Sequence, residues 1–145
     1  MSTRSRIGMT MPDGTVQAIY CHHDGYLKHN GLILLECYSD PEKLQELLKL
    51  GALSGLGRLI RSWIPADGKV ELVGTAKGTM AFRRDKNRRD TPMVQVSLSE
   101  ADFWKLYASA FDEEFGYLLR PTGWVYRKGG TRNLPLTHAA INRES

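Results

Sequence analysis

The chain has 145 residues, of which 41% are hydrophobic and 25% charged, with a formal net charge of +4. That length suits one domain able to bury roughly 70% of its extended-chain surface, and that balance excludes a disordered chain. No apolar run approaches the roughly 18 residues of a membrane span, and a cysteine count of 2 excludes a disulfide-dense secreted scaffold.

The opening MSTRSRIGM lacks the apolar segment and small-residue cleavage pattern of a secretory signal, so cytoplasmic residence is the expectation. Cys21 and Cys37 read as unbridged, structural thiols. Charge is uneven: residues 1–76 carry eight bases and eight acids, residues 77–145 twelve bases and eight acids. An excess confined to one half favours a polyanion or an acidic protein surface as partner.

In chain order, residues 1–5 read as a flexible arm, 6–128 as one compact domain and 129–145 as a loosely ordered tail. Arg6 to Cys21 reads as a hairpin turning at Met11-Pro12-Asp13-Gly14, with the alternating strand Thr15 to Tyr20. Leu27 to Tyr38 reads as a helix packed through Leu27, Leu34, Leu35 and Tyr38, or, because Gly31 is costly inside a helix, as a turn at His29-Asn30-Gly31 and a shorter helix. The next helix is better punctuated, with Asp40 as cap, Pro41 in the first position, Leu44, Leu47 and Leu48 as stripe and Gly51 as terminator.

Ala52 to Trp63 reads as a short helix or turn, Pro65 to Gly68 as a loop, and Val70 to Gly74 and Thr79 to Arg84 as strands. A third helix starts at Ser99, which with Asp102 has capping-box spacing, while Leu98 and Phe103 have staple spacing. Its face is Phe103, Leu106, Tyr107 and Ala110. A second hairpin joins Phe115–Leu119 to Trp124–Arg127 around Arg120 to Gly123. The fold class expected is α+β, a single compact domain with helices packed against a mainly antiparallel sheet.

The densest chemistry is Tyr20-Cys21-His22-His23-Asp24-Gly25-Tyr26. On a continuing strand His22 and His23 would point to opposite faces. A turn could gather Cys21, His22, Asp24 and His29 as zinc ligands, or set Cys21 as nucleophile beside His22 or His23 as base and Asp24 as orienter. Neither the paired spacing of a zinc site nor a recognisable oxyanion pocket accompanies them. The favoured reading is a sharp strand-to-helix transition at Asp24-Gly25, with the carboxylate accepting backbone bonds and a neutral histidine packed by its ring. Cys21, His22, His23, Asp24, Tyr26 and His29 are therefore taken as a polar junction, with no catalytic residue, metal or cofactor assigned.

The stretch CHHDGY followed by LILLECYSDPEKLQELLKLGALSGLG resembles small uncharacterised proteins of phages and mobile genetic elements that share a C-H-x-D-G-Y start and an L-L-E-x-Y continuation. Cys21, His22, Asp24, Gly25 and Tyr26 match the first signature, and Leu34, Leu35, Glu36 and Tyr38 the second. The likeness spans Ile7 to Gly57 well and the rest loosely, and His29-Asn30 departs from that group's more regular helix start. What it implies is a mobile-element accessory protein, a kind that often acts by binding host factors.

Arg83-Arg84-Asp85-Lys86-Asn87-Arg88-Arg89-Asp90 is the best polyanion candidate, although it lacks the interleaved aromatics of a single-strand stacking platform. Arg127 and Lys128, with Arg132, would enlarge it if the last hairpin lay alongside, and Arg4 and Arg6 could join it from the flexible start. Trp63 is the candidate interface anchor, whereas Trp104 and Trp124 read as core. Asp112-Glu113-Glu114 reads as a solvated helix end, or as a partner for the basic loop of another copy in a homo-oligomer. The expected function is noncatalytic binding of a host macromolecule, a protein before a nucleic acid, with no membrane partner.

Overall fold

The computed structural model describes residues 3–49, 51, 53–57, 80–81, 94–109, 113–129 and 132–144, with backbone alone for Ser54, Met80, Ala81 and Ser109. The elements are β1 (Arg4–Thr10), β2 (Val16–Cys21), a π-helical turn (Leu27–Gly31), α1 (Leu32–Cys37), α2 (Pro41–Leu48), β3 (Leu53–Gly55), β4 (Met80–Ala81), β5 (Gln95–Ser97), α3 (Glu100–Ser109), β6 (Glu113–Arg120), β7 (Gly123–Lys128), β8 (Leu134–Pro135) and α4 (His138–Asn142). The described strands form one sheet in the order β4-β3-β2-β1-β6-β7-β8, and β5 pairs with β2 along Val16–Ala18.

The expected α+β domain is present, with a sheet that is mixed rather than uniformly antiparallel. β1 pairs in parallel with β6, and β2 in parallel with β3, while the remaining pairs are antiparallel. The cause lies in the connections. β2 reaches β3 through α1 and α2, and β5 reaches β6 through α3; such helical crossovers return the chain in the same direction. Among the described residues no helix is long and apolar enough to cross a membrane.

Helices cover both faces. On the first, Ile7, Met9, Ile19, Cys21, Tyr117, Leu119 and Trp124 meet the π-turn, α1, α2 and α4 through Leu27, Leu34, Leu44, Leu47, Leu48 and Ile141. On the second, Val16, Ala18 and Leu118 meet Phe103, Trp104 and Tyr107 of α3. A Cβ on Gly8 would lie 2.8 Å from the Phe103 ring, and one on Gly116 would lie 2.8 Å from that of Trp104. These glycines let α3 settle directly on the strands.

Local signals act as their chemistry requires. Gly14 has φ 87° at the hairpin turn, where its N–H donates to the Met11 carbonyl at 2.9 Å. Asp40 accepts from the Glu42 amide at 3.1 Å, Pro41 opens α2, and Gly51, at φ 73°, follows its end. The Ser99 hydroxyl accepts from the Asp102 amide at 3.2 Å and donates back to the Asp102 carboxylate. The short aspartate thus meets the hydroxyl instead of the cap's amide. Leu98 is 83% exposed while Phe103 is fully buried, so the expected staple does not form; Phe103 is claimed by Gly8 and Val16 instead.

Further boundaries move. Arg4 and Ser5 belong to β1 rather than to a flexible arm, because Ser5 pairs with Cys21 and Phe115 and is fully buried. Leu27 to Tyr38 is the broken form of the expected helix, a π-turn leading into α1. Residues 53–55 are a strand, where a short helix or turn was expected. The supposed loose tail packs into the first-face core through Leu136, Ala140 and Ile141, with Thr137 capping α4. Its Glu144 carboxylate accepts from the Leu27 and Lys28 amides at 2.9 and 3.1 Å, capping the π-turn from the far end of the chain. Of the expected strand 79–84, Met80–Ala81 is β4; the strand at 70–74 and the loop at 65–68 lie outside the described residues.

Candidate functional site

The polar junction lies where β2 leaves the sheet. Cys21 is the last residue of β2, fully buried on the first face, and the His22 amide still donates to the Leu53 carbonyl at 2.9 Å. Asp24 then takes a left-handed φ of 57°, a conformation aspartate tolerates better than most residues. Gly25 follows because no side chain fits: a Cβ there would stand 2.8 Å from that of Ser5 and 2.9 Å from the Thr3 carbonyl oxygen. Its N–H donates to that oxygen at 2.7 Å, and its carbonyl accepts from the Tyr117 hydroxyl at 2.6 Å. The reversal is therefore tied to both β1 and β6.

Asn30 fixes it from inside. Fully buried in the π-turn, it donates to the Ser5 hydroxyl at 3.2 Å and to the Cys21 sulfur at 3.4 Å, and its carbonyl oxygen lies 2.9 Å from His29 Nδ1. π-helical turns are rare and favour functional positions; here the wider turn aims an amide at two strands. His29 is thereby engaged with Asn30 and not with His22. Nothing in the sequence distinguished Asn30 from an ordinary turn asparagine.

The side chains of the junction diverge. Burial pushes the Cys21 thiol from an ordinary 9.0 up to about 11, and its sulfur also approaches the His23 carbonyl oxygen at 3.6 Å. His22 continues the second face, where its Nδ1 lies 2.7 Å from the Tyr20 hydroxyl and 3.4 Å from Arg4 Nε. Thiol and imidazole thus stand on opposite faces, and the proposed Cys21–His22 pair is not assembled. Because the chain bends after Cys21, the His23 ring does not swing to the opposite face but meets the His22 ring edge-on at 4.5 Å. Burial, then the neighbouring His23 and Arg4, hold His22 below the usual histidine range. Among the described residues no three His, Cys, Asp or Glu side chains are placed to hold a metal ion, so the Cys21, His22, Asp24 and His29 set does not converge. His23, Asp24 and Tyr26 face solvent.

Beside the junction the second face carries a buried ion pair that sequence reasoning missed. Arg6 grips Glu113 with Nε to Oε2 at 2.9 Å and Nη2 to Oε1 at 2.6 Å, and its Nη1 donates to Gln95 of β5. Glu113 was expected in a solvated helix end or an intermolecular contact; it is instead the first residue of β6, 8% exposed, and its charge is used within the chain. Glu114 is exposed, and Asp112 lies outside the described residues.

Arg127 and Lys128 do not extend one patch. Successive strand residues face opposite ways, and Arg127 lies over the Trp104 ring at 4.2 Å while Lys128 lies over Phe115 at 5.7 Å. Arg127 also donates to Asn133. Lys128 lines a cleft of about 360 Å³ together with Thr3, Tyr26, Lys28, Glu114, Phe115 and Glu144. Trp63 and the basic residues Arg83, Arg84, Lys86, Arg88 and Arg89 lie outside the described residues. No family model, curated protein or solved structure matches the chain significantly.

Proposed function

We propose that this chain is a noncatalytic phage or mobile-element accessory protein of the cytoplasm that binds a host macromolecule, a protein before a nucleic acid. One observation carries the reading: the junction is anchored by Gly25, Asn30 and Tyr117 while His23, Asp24 and Tyr26 face outward. A turn held this firmly presents its side chains with little ordering cost, which favours contact. Its one thiol is withdrawn into the core. Tyr26, 37% exposed and beside Asp24, is the aromatic anchor of the surface.

The test is capture from host extract on tagged chain, followed by titration of the recovered partner. A saturable partner is expected, with affinity falling about tenfold or more for Tyr26→Ala, as for a hot-spot aromatic. Absence of a saturable partner for the folded chain, or equal affinity in the variant, refutes the assignment. The uneven charge favours a second reading as a nucleic-acid-binding accessory acting through Arg83, Arg84, Lys86, Arg88 and Arg89. There binding would fall steeply with salt, and neutralising those residues would flatten the slope.

A further inference from the structure

Arg120 of β6 and Arg127 of β7 both meet α3, and only one of them is answered by a carboxylate. Arg120 grips Glu100 with Nε to Oε1 at 2.6 Å and Nη2 to Oε2 at 2.7 Å. Arg127 is half-buried, its Nε donates to Asn133 and its guanidinium rests on the Trp104 ring; among the described residues it makes no ion pair. Burial pulls that guanidinium below the ordinary arginine value, and the nearby Glu100 and Tyr107 offset the pull only in part.

Ala101, Trp104, Lys105 and Ala108 have the i, i+3, i+4, i+7 spacing of one helical side. Together with Glu100 and Arg127 they line a cleft of about 400 Å³ where α3 meets β7. Lys105 is exposed and makes no ion pair among the described residues. Glu100 is the one acid in the lining, and Arg120 holds it. The cleft therefore carries two cations that no lining residue neutralises. Ala101 and Ala108 are exposed and small, so the helix surface between those charges is low enough for another backbone to approach.

We propose that this cleft binds an acidic peptide segment, whose carboxylates pair with Arg127 and Lys105. The Nε of Arg127 is committed to Asn133, which leaves its two Nη groups to take a carboxylate end-on. Stacking on Trp104 holds the guanidinium plane in place beforehand, so little freedom is lost on binding. Lys105, a point charge on a flexible stem, takes a second carboxylate. A nucleic-acid strand fits less well, because its bases need an exposed aromatic face and Trp104 is 4% exposed beneath Arg127. The inference rests on the protein-binding reading above and adds the chemistry of the segment bound.

The experiment adds end-blocked tetraglutamate to the isotope-labelled full chain at constant ionic strength, with tetraglutamine as the neutral control. The Trp104 indole N–H reports on the cleft by NMR, and that of Trp124, packed on the first face, is the internal reference; neither has an acceptor among the described residues. Tetraglutamate should shift Trp104 saturably, and tetraglutamine should not. Lys105→Glu changes an exposed residue without an ion pair, and should weaken binding about tenfold by placing a carboxylate in the cleft itself. Arg127→Met should cost a similar factor, and Arg127→Lys should recover part of it. Equal responses to the two peptides in the wild-type chain, or unchanged affinity in folded Lys105→Glu, overturn the proposal. So does an oligothymidylate of equal charge that saturates Trp104 at lower concentration, which would make the cleft a nucleic-acid site. Because the peptide is added directly, a failure here leaves capture of a host partner through Tyr26 standing, and a failure of that capture leaves peptide binding at the cleft standing.

Discussion

Over the first face of the sheet, three helices and the π-turn lay mostly aliphatic side chains on a broad set of strand residues, while over the second face α3 sets Phe103, Trp104 and Tyr107 on Gly8 and Gly116. The first face spreads its packing over many buried side chains. The second face concentrates its stability in close ring-to-backbone contact and in the Arg6–Glu113 pair. Economy on that face also has a positional result. α3 lies on Gly8, Gly116 and Leu118, and the Arg4–His22 end of the strands continues past its aromatic cluster. The same strand, β1, thus supplies a packing surface at Gly8 and a charged one at Arg4 and Arg6.

The sharpest way to break this contrast is to remove one member of the ion pair. Glu113→Ala leaves the Arg6 guanidinium buried beside Gln95, and stability to denaturant should fall by about 3–5 kcal/mol, the usual cost of orphaning a buried charge. The double substitution Arg6→Met with Glu113→Leu should recover most of the loss, because two apolar side chains need no partner. A single-variant loss below about 1 kcal/mol would place the pair among weak surface bridges. A smaller effect is expected from Gly116→Ala. The added methyl meets the rings of Trp104 and Tyr107 at 2.8 and 3.0 Å, and moving α3 to admit it should cost about 1–3 kcal/mol. Comparable stability in equilibrium unfolding of that variant would mean that α3 sits loosely on the second face.

What was legible in the sequence follows the reach of each signal. The hairpins at Gly14 and Gly123, the Asp40 and Ser99 caps and the Leu44-Leu47-Leu48 stripe depend on neighbours within a few residues, and each is present in the structure. Partners distant in the chain left no such trace. Arg6 and Glu113 are 107 positions apart, and Glu144 caps an amide 117 positions away, so an acidic run and a polar tail looked solvated when two of their carboxylates are structural. The junction was partly readable: the sharp turn at Asp24-Gly25 is where the residue types place it, yet the burial of Cys21 and the role of Asn30 depend on Ser5 and on the faces of the sheet. The parallel pairings were missed for a related reason, since they arise from which helices the chain runs through between strands.

The smallest effect sharpens the comparison at a single atom, because Cys21 is the point where the junction touches the first-face core. Its thiol lies under Asn30 with no exposed surface, and burial lifts its pKa from an ordinary 9.0 to about 11. A shift of that size lowers the thiolate fraction at neutral pH about a hundredfold, before any steric protection. In a Cys37→Ser background, alkylation of Cys21 near neutral pH should therefore await unfolding, and its rate should track denaturant instead of reagent concentration. The pH dependence has a definite sign. The folded state keeps the proton that the unfolded thiol releases, so the contribution is intact below about pH 9 and disappears as pH rises towards about 11. Tyr117, raised well above its ordinary 10.0 by burial, pulls the wild-type curve in the same direction. Comparing denaturation midpoints of Cys21→Ala with wild type across that window isolates the thiol: the gap between them should narrow as pH rises. A constant gap, or brisk labelling of the native chain at neutral pH, would put the sulfur within reach of solvent and return it to the chemistry of the turn.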